Sequence, residues 1–296
     1  MMFHVEHIQN CPVCGSQNHQ HFLTCTDQSF SKKPFEIVAC SDCGFKFTNP
    51  RPDENSIGQF YHFADYVSHT DSKKGLINWL YHIVKKRALK QKLKLVSSYF
   101  SQEKTLLDYG CGSGDFLGYC MANSINAFGV EQDDNTRQRA IEKYNANIIS
   151  PKDFSADQKR YEVISLWHVL EHLHHLNHDI ELLKNHLTQN GRLLIAVPNP
   201  TSYDAKFYSA RWAAYDVPRH LYHFEKQNII QLFAKHDLVV ETIKPMVFDS
   251  FYVSLLSEKQ SNGFFPRAFF IGLLSNIFGM GKTPNHSSLI YVLKKG

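Results

Sequence analysis

The stretch Leu106-Leu107-Asp108-Tyr109-Gly110-Cys111-Gly112-Ser113-Gly114-Asp115-Phe116-Leu117 decides the fold. An apolar run ends in an acidic residue, breaks into three alternating glycines, and resumes with helical periodicity. Glycine lets the backbone turn tightly and lets a ligand approach without an intervening Cβ. A dinucleotide fingerprint needs Gly-x-Gly-x-x-Gly, the third glycine opening the helix over a pyrophosphate. Asp115 stands at that third position, and a carboxylate is electrostatically wrong for phosphate. No Gly-Lys-Ser/Thr follows, which excludes a Walker loop. The loop suits a phosphate-free ligand with a cationic amino-acid end, whose ammonium Asp108 can meet. The next run, Ala127-Phe128-Gly129-Val130-Glu131, places a carboxylate at a strand tip, where it can accept both hydroxyls of a ribose.

Outward from this point the texture repeats. Apolar runs at 105–108, 127–131, 147–149, 162–167 and 192–197 alternate with helical periodicity at 115–122, 134–144 and 179–187. That alternation predicts parallel βαβ units in a doubly wound sheet. Two further runs, 238–243 and 289–293, flank an apolar, aromatic segment at 249–286 with Gly and Pro interruptions. Upstream, 53–100 carries amphipathic helical stripes, including Ile57, Phe60, Leu76, Trp79, Leu80 and Ile83. Its basic residues Lys85, Lys86, Arg87, Lys90, Lys92 and Lys94 read as a solvated helix face.

Composition narrows the classes. A chain of 296 residues with 43% hydrophobic and 20% charged residues is not a charged disordered polymer. A net charge of +4 is too balanced for a nucleic-acid binder, so nucleic acid is not an expected partner. The 17 His residues raise that charge as pH falls through about 6.5. The C-terminal apolar run from Ala268 to Leu274 is far shorter than the roughly 20 residues of a membrane span. The first residues show no export signal, which sets the expectation of a cytoplasmic protein with reduced thiols.

The Asp108–Gly114 loop with Glu131 resembles the class I S-adenosylmethionine-dependent methyltransferases. Tyr161 to Leu173 looks like that family's fourth strand and following helix, and Gly191 to Asn199 like its fifth strand. Trp212 and Pro218-Arg219-His220-Leu221-Tyr222-His223-Phe224 match a segment common in the ubiquinone-biosynthesis-like branch. The resemblance implies an α/β, doubly wound, seven-stranded Rossmann-like sheet in the order 3-2-1-4-5-7-6, with the last strand antiparallel. It implies a cofactor cradle of Asp108, Tyr109, Gly110, Cys111, Gly112, Gly114, Phe116, Glu131, Gln132, Asp153, Phe154, Trp167, His168 and His172. Asp153 is the candidate adenine contact.

His168-Val169-Leu170-Glu171-His172 also fits His-x-x-Glu-His, a zinc peptidase pattern. That motif needs both His residues on one helix face, and here it follows directly on a buried strand, so the peptidase stands only as an alternative. His174, His175 and His178 read as a solvated helix start.

Cys11-Pro12-Val13-Cys14-Gly15 and Cys40-Ser41-Asp42-Cys43-Gly44 repeat Cys-x-x-Cys-Gly. The spacing lets two turns present four thiolates tetrahedrally, with each Gly permitting a tight knuckle. Cys11, Cys14, Cys40 and Cys43 are therefore expected to hold a structural zinc in a ribbon. Four thiolates leave no open position for catalysis.

The expected organisation is a zinc ribbon over 1–50, a helical linker or lid over 51–103, and a methyltransferase domain over 104–296 with a helical insertion at 249–286. The expected reaction is methyl transfer from S-adenosylmethionine to a small-molecule acceptor, with oxygen favoured over carbon or nitrogen. An RNA-directed enzyme using the ribbon as a clamp is the alternative. A hydroxyl acceptor needs a general base, and His168, His220 and His223 are the candidates. The 249–286 insertion is expected to cover the cofactor as a lid, with Gly263, Gly272, Gly279 and Gly281 permitting movement. The oligomeric state is not legible.

Overall fold

The computed structural model describes residues 4–61, 76–101 and 103–296. The 62–75 part of the expected helical segment, and the side chains of its stripe at Leu76, Trp79, Leu80 and Ile83, lie outside the described residues.

The strands in chain order are β1 (Val5–Glu6), β2 (His19–Thr26), β3 (Pro34–Cys40), β4 (Lys46–Thr48), β5 (Arg51–Pro52), β6 (Thr105–Tyr109), β7 (Asn126–Val130), β8 (Asn147–Ile149), β9 (Tyr161–Trp167), β10 (Leu187–Pro198), β11 (Tyr222–His223), β12 (Leu238–Pro245) and β13 (Ser288–Lys295). Seven of them form one sheet in the order β12-β13-β10-β9-β6-β7-β8. Strands β6 to β10 are parallel, and β13 runs antiparallel between β10 and β12. This is the expected 3-2-1-4-5-7-6 order. All five residues of β6 are buried, as a central parallel strand covered on both faces requires. The register sets Asp108 opposite both Gly129 and Ser165. The carboxyl ends of β6, β7 and β9 thus converge, and ligands of open α/β sheets bind at that edge.

The first fifty residues build a second sheet, β11-β4-β3-β2. Its fourth strand, Tyr222–His223, comes from far along the chain. Phe45 stacks on Tyr222 at 5.9 Å and lies 5.4 Å from Phe224. Arg51, almost fully buried, donates to Glu6 and to the Tyr222 hydroxyl. The expected boundary at residue 50 therefore falls within continuous packing.

Helices Asp249–Gln260 and Phe265–Gly279 pack on each other and on helix Tyr203–Tyr208. A Cβ on Gly272 would lie 2.8 Å from the Phe251 ring, and one on Gly279 would lie 2.9 Å from His286. These two glycines are sites of close approach.

Candidate active site

The glycine loop is held by its backbone. Gly110 N and Cys111 N both donate to Val130 O, at 2.8 and 3.0 Å. Gly110, Gly112 and Gly114 all have positive φ, which side chains tolerate poorly. A Cβ on Gly110 would come within 2.5 Å of Val169, so this glycine lets the turn after β9 press against the loop. Gly112 faces open space and could receive a ligand. Its amide donates to Glu131 Oε2 at 2.8 Å, and Asp133 N donates to Glu131 Oε1 at 3.0 Å. Two main-chain donors thus orient the Glu131 carboxylate beside the loop. Gln132 follows it, exposed. Asp115, which argued against phosphate, is held by Lys85, Lys143 and the Tyr144 hydroxyl. These cations keep its carboxyl well below the usual range despite burial.

Asp108 is buried and accepts from Ser165 Oγ at 2.7 Å. Burial raises its carboxyl to about 6, against the opposing effects of Ser165 and Lys92. The Lys92 ammonium lies 4.4 Å from the Trp167 ring centroid, and Phe116 meets Trp167 edge-on at 5.6 Å. Burial pushes the Lys92 ammonium down, opposed by Asp108 and Asp249. Trp167 Nε1 is buried with no acceptor among the described residues. The basic stripe is thus only partly a solvated face: Lys85 and Lys92 turn inward. Helical spacing shows which residues share a face but not what that face meets, so Lys92 was missed as a site residue.

The expected cradle is not brought together whole. Tyr109 and Phe154 pack on each other in the core at 5.6 Å, and Phe154 also lies on His186 at 4.1 Å. Asp153 is exposed and hydrogen-bonds Ser150 at the start of helix Pro151–Ala156. Cys111 packs its sulfur against Gly129.

The histidines occupy different places. His168 follows β9 in a left-handed conformation, φ 59°. Its Nε2 lies 3.0 Å from Asp249 Oδ2 and its Nδ1 3.4 Å from Glu171 Oε1. Burial lowers its affinity for a proton, but the two carboxylates outweigh this and raise it to about 10. His172 sits in a 3-10 turn, Leu170–His172, not on the helix a His-x-x-Glu-His zinc site requires. Burial and His220 hold His172 neutral, at about 4. Its Nδ1 lies 3.0 Å from Arg219 O, and His220 Nδ1 lies 2.9 Å from Ala214 O. Those contacts leave the Nε2 atoms as acceptors in the neutral rings. The two rings are 4.7 Å apart. Glu171 is fully buried, and its nearest charged neighbour among the described residues is His168 Nδ1, 3.4 Å from Oε1. Glu171, His172 and His220 place their ligand atoms within 4.8 Å of one another, a second set able to face one cation. His223 is buried against Thr48 of the N-terminal sheet and the Tyr215 ring. Burial holds it neutral. Of the remaining three, His174 is half-buried against Pro52 O, while His175 and His178 are exposed.

The four cysteines of the two knuckles converge. Cys11 and Cys43 sulfurs are 3.6 Å apart, those of Cys14 and Cys40 are 3.5 Å apart, and all four lie within 4.8 Å. Tetrahedral zinc at about 2.3 Å from each sulfur sets sulfurs about 3.8 Å apart. Gly15 N donates to Cys11 O and Gly44 N to Cys40 O, both glycines with positive φ. The donor set and spacing fit zinc.

The sequence pattern described as a methyltransferase domain matches residues 80–243, more than half of the chain. No curated protein matches the chain. Among solved structures, magnesium protoporphyrin IX methyltransferase from Synechocystis PCC 6803, with SAH bound, superposes at TM-score 0.52 and 12% identity. The match covers 82% of this chain and 100% of that one. A mycolic acid cyclopropane synthase solved with SAH superposes at TM-score 0.50 and 12% identity, covering 71% and 85%. Mitomycin 7-O-methyltransferase gives TM-score 0.46 at 14% identity and covers 71% of this chain. This chain spans about half the length of that enzyme, 54%. At these identities the likeness is one of fold.

Proposed function

The chain belongs to the methyltransferase-domain family, and from this premise we propose that it is an S-adenosylmethionine-dependent methyltransferase that methylates a small-molecule acceptor on oxygen. The observation that carries the cofactor reading is the Glu131 carboxylate, pinned by the Gly112 and Asp133 amides beside a glycine with open space over it. S-adenosylmethionine supplies a methyl group on a positively charged sulfur. Glu131 is oriented to accept two ribose hydroxyls. Asp108 offers a carboxyl to the ammonium of the amino-acid end, and Lys92 offers a cation to its carboxylate. Trp167 Nε1 is a buried donor with no partner among the described residues. These features fit the cofactor and support the reading.

Proton removal from a hydroxyl acceptor falls to His220. His168, flanked by two carboxylates, already holds its proton at neutral pH and acts as a hydrogen-bond donor. His223 is enclosed against Thr48. His220 keeps Nε2 as an acceptor, and Asp216 Oδ2 lies 4.0 Å from it, ready to stabilise the imidazolium. Cys11, Cys14, Cys40 and Cys43 hold zinc as a structural element. The ribbon offers little to RNA: Lys46 is engaged by Glu225 and lies over Phe22. The test is transfer of labelled methyl from S-adenosylmethionine into a small-molecule extract, with total RNA as the alternative acceptor. The proposal expects label in a small molecule that gains one methyl on oxygen. His220→Asn should lower transfer about 100-fold with unchanged cofactor affinity. Label in RNA alone would contradict it.

A further inference from the structure

Helix Phe265–Gly279 has its polarity reversed. Its buried stripe is made of Ala268, Ile271, Gly272, Ser275 and Gly279, four of them small, while most of its large apolar side chains face outward. Phe264 is 66% exposed, Phe270 61%, Phe278 62% and Met280 68%, and Phe265, Phe269 and Ile277 are close behind. A helix of a water-soluble domain does the opposite. The rings are not loose. Phe269 lies 5.5 Å from Phe251, and Phe278 stacks on Tyr203 at 4.9 Å. Contiguous exposed apolar surface on a folded chain marks an interaction face.

The charges around this face share one sign. The helix pair and the 199–215 segment beneath it contain three acidic residues, Asp204, Asp249 and Glu258. Asp204 is buried against Trp212, Ser275 and Ser287, Asp249 is bound to His168, and Glu258 is buried with Arg267 and Tyr208. Lys206, Arg211, Lys259 and Lys282 are exposed. No helix among the described residues is long and apolar enough to cross a membrane.

We propose that this helix pair docks the enzyme on an anionic lipid bilayer, with the phenylalanines entering the headgroup–acyl boundary and the basic side chains meeting lipid phosphates. A symmetric contact with a second copy would set the basic rim against itself. Docking would bring the active-site edge to the lipid surface, because the pair begins at Asp249, the partner of His168.

Co-sedimentation of the full chain with phosphatidylglycerol–phosphatidylcholine vesicles, against pure phosphatidylcholine, tests this. Binding should be about tenfold stronger on the anionic vesicles and fall with salt. The double variant F265S/F270S, whose side chains are on the surface, should lose about tenfold or more with an unchanged melting temperature. K259S/K282S should weaken binding to anionic vesicles only. Wild-type protein remaining in the supernatant with anionic vesicles would overturn the proposal. So would reversible self-association that the phenylalanine variant abolishes while vesicle binding is absent. Neither result bears on methyl transfer, which is read separately.

Discussion

His168 Nε2 lies 3.0 Å from Asp249 Oδ2, joining the end of β9 to the first residue of a helix 81 positions later. The contact joins the carboxyl edge of the sheet to the apolar helix pair, and with Glu171 it raises the proton affinity of His168.

This pairing gives a pH signature. The His168 proton affinity is raised to about 10, so its contribution to stability is complete below the ordinary histidine value of about 6.5. It declines above that value and is lost as pH passes about 10. Asp249→Asn should cost about 1–2 kcal/mol near neutrality, an amount discounted for the partial exposure of His168. Melting curves of wild type and variant should differ most at about pH 6–7 and converge toward pH 10. A difference that grows with alkaline pH would contradict the pairing.

Gly110→Ala should destabilise the chain by about 2 kcal/mol, because its Cβ would meet Val169 at 2.5 Å and φ there is 73°. Val169→Ala in the same chain should recover part of that loss. Denaturant titration of both single variants and the double variant measures the coupling. Purely additive effects would show that the two residues do not press on each other.

Lys92→Met keeps the apolar stem and removes the charge. Cofactor affinity should fall about 10- to 100-fold, the worth of a charged hydrogen bond, with little change in melting temperature. Lys90→Met, on the exposed side of the same helix, should leave affinity unchanged. Calorimetric titration with S-adenosylmethionine separates the two.

Cys40→Ser should remove the metal and lower the midpoint of a single unfolding transition by about 5 °C or more. One transition is expected because Phe45 and Phe47 share a core with Leu221, Tyr222 and Phe224. Elemental analysis and scanning calorimetry check it; two separate transitions would mean that the ribbon unfolds alone.

Local patterns carried the parts that are built locally. The strand–glycine–helix run and the apolar alternation after it predicted the sheet and its order, because parallel βαβ units are contiguous in sequence. The two Cys-x-x-Cys-Gly knuckles likewise pointed to a convergence of four sulfurs. What escaped was set by packing between distant segments. Lys92 looked like its neighbours on a basic helix until Trp167 and Asp108 gave it a pocket. Tyr222 and His223 complete a sheet begun 200 residues earlier, and no spacing rule announces that. Glu171 and His220 meet only because the turn after β9 faces the segment before β11. Gly272 and Gly279 also meet Phe251 and His286 closely, contacts that a glycine in a sequence does not announce.

Calorimetric titration of the wild-type chain and Gly112→Val with S-adenosylmethionine tests the central claim. Gly112 has φ 54° and open space where a Cβ would stand, so valine should spare the core while blocking the ligand's approach. One site per wild-type chain and no measurable binding by the folded variant are expected. Wild-type protein that binds no S-adenosylmethionine, or a variant that binds it equally well, would contradict the assignment.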